Sequence, residues 1–67
     1  MITNAQRFIQ RMYPSARGQR VVYSENPTRW HTEVRLGDGQ LIGYGFTDGE
    51  AWREAYGWHK RNSGEWK

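Results

Sequence analysis

The sequence predicts an α+β domain of order α-β-β-β-α, with a three-stranded antiparallel sheet and two helices packed on one face. Three observations carry this. An apolar stripe at helical spacing opens the chain, an alternating run follows in its middle, and a capping box introduces an alanine-bearing helix near its end. Sixty-seven residues make one domain, which buries only roughly 60% of the surface its unfolded chain exposes.

Each element has its own signature. Thr3 or Asn4 can cap a first helix, and Ala5, Phe8, Ile9 and Met12 then fall on one stripe with Gln6, Arg7, Gln10 and Arg11 outside it. Pro14 ends it, because a proline steers the preceding residue out of helical geometry. Ser15 to Gly18 read as loop. Val21 to Tyr23 form a short β-prone run, broken at Asn26-Pro27. From Trp30 the pattern alternates: Trp30, Thr32, Val34 and Leu36 face the core, and His31, Glu33 and Arg35 face water.

Gly37-Asp38-Gly39 reads as a tight hairpin turn, and residues 40–46 as the return strand. Gly43 and Gly45 share one face of that strand, opposite Ile42, Tyr44 and Phe46. Two glycines on one face suggest close approach by a helix backbone. Thr47-Asp48-Gly49-Glu50 has capping-box spacing, and its carboxylates suit the positive end of a helix dipole. Ala51, Ala55 and Trp58 then give the inward stripe, with Trp52, Tyr56 and His59 one position around. Asn62 to Gly64 stop the helix, and residues 62–67 form a short tail.

Composition narrows the function classes. No cysteine means no disulfide, no thiolate chemistry and no Cys-based zinc site. No apolar run approaches the ~18 residues of a membrane span, and no apolar stretch marks a signal peptide, so a soluble cytoplasmic protein is expected. Residues 1–32 place Arg7, Arg11, Arg17, Arg20 and Arg29 against Glu25 alone. Residues 33–59 hold Asp38, Asp48, Glu33, Glu50 and Glu54 against Arg35 and Arg53. A basic half of this kind suits a polyanionic partner.

No metal site is expected from His31 and His59, which lack a third donor, and no cofactor is implied. Ser15, Ser24 and Ser63 have no nucleophile's context, no acid and base are paired, and so small a core leaves little room for a water-excluding pocket. A non-catalytic protein is the expectation.

The run from Thr32 to Ala55 resembles the double-stranded-RNA-binding domain. The likeness lies in an alternating strand, a turn, and Gly43-x-Gly45-x-Thr47 leading into a helix with alanines at its fifth and ninth positions from the cap. Asn26-Pro27-Thr28-Arg29 occupies the loop where that family has Gly-Pro-x-His. The resemblance implies nucleic-acid contacts from Arg7 and Arg11 on the first helix and Arg29 in the loop, with duplex RNA or DNA as partner. The chain departs from the family where its second helix carries phosphate-gripping lysines: here stand Asp48 and Gly49, with Trp52 at the next cationic position. The same pattern is similar to small phage-encoded sandwich domains and to HicB-type antitoxin halves.

Those departures motivate an alternative from another class: a phage-type interaction module that occupies a host protein complex through an acidic and aromatic surface of Asp48, Trp52 and Trp66. Exposed tryptophans anchor interfaces. A homodimer paired through the Trp52 face is a third expectation, whereas Trp58 and Trp30 are expected in the core.

Overall fold

The architecture follows from a computed structural model, which describes residues 3–23 and 25–63. Helix α1 (Asn4–Met12) leads into strands β1 (Arg17–Tyr23), β2 (Asn26–Arg35) and β3 (Leu41–Gly45), and helix α2 (Asp48–Ser63) closes the order. The sheet is antiparallel in the order β1-β2-β3. Both helices lie on one of its faces.

Local chemistry sets the ends. Thr3 caps α1, its hydroxyl accepting from the Gln6 amide at 3.0 Å. At α2, the Thr47 hydroxyl accepts from the Glu50 amide at 3.2 Å, and the Glu50 carboxylate accepts from the Phe46 amide at 2.9 Å. The capping box thus reaches one residue further back than its spacing implies. Gly39 closes the hairpin at φ 91°, a left-handed conformation that side chains resist. The Asp38 carboxylate steadies the turn by accepting from the Gln40 amide at 3.0 Å.

The core comprises Ile9, Ala16, Val34, Ile42, Ala51, Trp52 and Ala55, with Phe8, Tyr13, Leu36, Tyr56 and Trp58 packed around it. Val34 pairs with Gly43 and Thr32 with Gly45, so both glycines face α2. A Cβ on Gly43 would collide with the Ala51 carbonyl oxygen, and one on Gly45 would lie 2.6 Å from the Glu50 Cβ and 2.8 Å from the Ala51 nitrogen. The helix backbone therefore rests directly on the strand backbone. The close approach expected from the glycine pair is present.

Several expectations are corrected. Arg17 and Gly18 belong to β1 rather than to a loop, and β2 begins at Asn26 instead of Trp30. Tyr23 pairs with Asn26 while Val22 pairs with Trp30, so residues 27–29 form a three-residue excursion with no partner in β1. Ile42 lies in the core, not on the opposite face from the glycines, because a bulge between Val34 and Arg35 breaks the alternation of β3. Met12 is exposed: α1 packs against α2, and Tyr13 rather than Met12 joins the core's fringe.

Trp30 is 42% exposed and not core, since β2 runs beyond the ground that the helices cover. Helix α2 also turns a different face inward. Trp52 is buried with Ala51 and Ala55, His59 is buried, and Trp58 is half-buried against Tyr13 at 5.5 Å.

Candidate functional site: the open sheet face and the arginine ribbon

The sheet face turned away from the helices carries a polar cluster. Tyr23, His31, Glu33, Arg35 and Tyr44 come from all three strands. His31 Nε2 lies 2.9 Å from Glu33 Oε2, and Arg35 Nε donates to Glu33 Oε1 at 3.0 Å. His31 Nδ1 lies 2.9 Å from the Tyr23 hydroxyl. The Glu33 carboxyl is held below its ordinary value of 4.5, first by the hydrogen bond from His31 and then by Arg35, against an opposing effect of burial. Tyr44 is raised above its ordinary 10.0, first because it hydrogen-bonds Tyr23 in its protonated form, and further by burial and by the charges of Tyr23 and Glu33.

An ionised Glu33 only accepts, so His31 Nε2 donates to it; a neutral imidazole then accepts at Nδ1 from the Tyr23 hydroxyl, and a protonated one donates to it. The network links Tyr23, His31, Glu33 and Arg35, with the Tyr44 ring packed on the imidazole at 4.7 Å. The buried imidazole at its centre has both ring nitrogens engaged, as a buried polar group requires.

This network corrects a further expectation: His31 is not wet but only 7% exposed. The Tyr23 and Tyr44 rings, 5.4 and 4.7 Å from the imidazole by centroid, shield it from water. Phe46 continues the row 6.4 Å beyond Tyr44. Tyr44 and Phe46 are 44% and 61% exposed.

The arginines expected to act together are divided. Arg7 and Arg11 stand exposed on α1, in the helical layer. Arg29 stands in the β2 excursion, where it lines a shallow depression with Tyr23, Thr28, Trp30 and Phe46. Arg20 of β1, which the reading of the sequence did not single out, lies over the Trp30 ring at 5.1 Å. Arg17 is exposed at the other end of the same strand. The β1–β2 ribbon thus interleaves cations with open rings.

Of the residues expected to form an acidic and aromatic surface, Trp52 is withdrawn into the core. Trp52 is 2% exposed and cannot anchor an interface. Gly18 explains its burial: a Cβ there would sit 3.3 Å from the Trp52 ring, so the bare strand makes room for the indole. Asp48 remains exposed, and its carboxylate accepts from the buried Thr32 hydroxyl at 3.1 Å, tying the start of α2 to β2. Trp66 lies outside the described residues.

Among the described residues no three His, Cys, Asp or Glu side chains gather as a metal site, and no helix is long and apolar enough to cross a membrane. Comparison with protein-family models, curated proteins and solved structures finds no match to this chain.

Proposed function

We propose that this chain is a non-catalytic module that binds nucleic acid through the arginine-bearing β1–β2 ribbon. The observation that carries the reading is the pairing of cation and ring at one end of the sheet. Arg20 lies over Trp30, and Arg29 shares a depression with Tyr23, Trp30 and Phe46. Guanidinium groups bind phosphate in bidentate geometry, and open rings accept bases. The chain's net charge of +3 favours such a partner.

The α-β-β-β-α order and the Gly43-x-Gly45-x-Thr47 segment support kinship with the double-stranded-RNA-binding domain, but the acidic start of α2 disfavours that family's grip. Asp48, Glu50 and the exposed Glu54 would repel a phosphate backbone laid across α2. The contact surface proposed here is therefore the ribbon, with Arg7 and Arg11 lending longer-range attraction from α1. The alternative of a host protein complex held through Trp52 has lost its anchor to the core.

Calorimetric titration with short oligonucleotides at several salt concentrations tests the reading. The affinity should fall steeply with salt, and Arg20→Ala or Arg29→Ala should each lower the logarithmic slope by roughly one. Salt-independent association, or equal binding by the variants and the parent, would refute it.

A further inference from the structure

We infer that the bound nucleic acid is single-stranded, with unpaired bases seated on Tyr44 and Phe46 of the open sheet face. This deepens the proposed function and rests on it. The first argument is the nature of the surface. A duplex buries the flat faces of its bases against one another, so exposed rings offer it nothing, whereas an unpaired base presents a face to any ring. Tyr44 and Phe46 are the rings at the open end of the row, and both are substantially exposed.

The second argument is spacing. The two ring centroids are 6.4 Å apart and the planes meet at 65°. Stacked bases along one strand rise by about 3.4 Å. Successive bases can therefore occupy these two rings only if the strand is extended and its own stacking is opened. Neither condition is met inside a duplex.

The third argument is preorganisation and charge. Tyr44 packs on the His31 ring at 4.7 Å, and His31 is held by Tyr23 and Glu33, so the Tyr44 ring is positioned before any ligand arrives. Glu33, whose charge would otherwise repel a phosphate on this face, is already engaged by His31 and Arg35. Arg29 borders Phe46 in the same depression. A strand whose bases rest on Phe46 and Tyr44 has Arg29 beside its backbone and a paired carboxylate beneath it, with Arg53 standing among Glu50 and Glu54 at the β3 edge. That complementarity selects a polyanion with free bases over an apolar partner.

The experiment compares three probes by calorimetry: an oligothymidylate 12-mer, an abasic strand of the same length, and a 12-base-pair duplex. The base-bearing strand should bind about tenfold more tightly than the abasic one, as expected when one or two bases stack on aromatic rings. Phe46→Ala should collapse that ratio towards one, and amide NMR shifts on adding oligothymidylate should centre on residues 44–46 and 29–33. Equal affinity for base-bearing and abasic strands, both weakened by Arg29→Ala, would overturn the stacking inference and leave the arginine reading standing. Tighter binding of the duplex would also overturn it. Binding of none of the three would overturn both readings and leave the aromatic face to a protein partner.

Discussion

Glu33 shows how one side chain ties the stability of this fold to pH. Its folded-state value lies below 4.5 because His31 donates to it and Arg35 stands beside it. A carboxyl with a depressed folded value stabilises the fold above the unfolded value and loses that contribution as pH falls through the folded one. Thermal unfolding followed by circular dichroism should therefore show a drop in midpoint below about pH 4.5, and Glu33→Gln should flatten that limb. Tyr44 works in the opposite sense. Its raised value means that its contribution is present below pH 10.0 and is lost as pH rises through the folded value, so Tyr44→Phe should remove part of an alkaline decline.

Trp52 makes a second prediction at this scale. Its indole is buried against Gly18, and truncation to alanine should cost about 3 to 5 kcal/mol. A domain this small has a total stability of about 5 kcal/mol, so Trp52→Ala should be largely unfolded at room temperature by circular dichroism. A stably folded variant would contradict the assigned packing.

At the scale of elements, α2 seated on β3 governs tolerance to change. Gly45→Ala would thrust a methyl group into the Glu50 Cβ and the Ala51 nitrogen. The loss should be about 1 to 3 kcal/mol, the range for overpacked sites, and should appear as a lower urea midpoint. Gly39→Ala meets no neighbour and would be penalised only for its φ of 91°, by about 1 kcal/mol. The two variants separate steric collision from backbone strain.

The same elements show what the sequence made readable. Small residues at 51 and 55 match glycines at 43 and 45, and both signals are local, so the α2–β3 contact could be read directly. The inward turn of Trp52 depends on a bare Gly18 thirty-four residues earlier, which no local spacing marks. The burial of His31 needs Tyr23 and Tyr44 from two other strands. Ile42 was misplaced because a bulge leaves no periodic trace, and Trp30 because alternation says which face a residue takes but not how far the covering helices extend. Of the candidate site, Arg29 was legible as a cation in a proline-marked break. Its ring-lined surroundings arise from strand pairing alone.

Viewed as a whole molecule, the chain separates its charges in part: arginines lie on α1 and the β1–β2 ribbon, and α2 sets Asp48, Glu50 and Glu54 in its first half against Arg53, with Lys60 and Arg61 near its end. Glu54 lines a depression at the β3 edge together with Tyr44 and Phe46, and no described hydrogen bond employs its carboxylate. Glu54→Gln should strengthen oligonucleotide binding about twofold at low salt and have less effect as screening rises. The comparison needs only calorimetry at two ionic strengths. No change at either would place the bound strand away from the β3 edge.

With Trp58 and Trp66 replaced by phenylalanine, the opposite fates of Trp30 and Trp52 would leave the protein two built-in optical probes. One indole sits in the core and the other under an arginine at the surface. Denaturation should shift the emission of the first to longer wavelength, whereas a ligand laid along the ribbon should quench the second and leave the first as an internal standard.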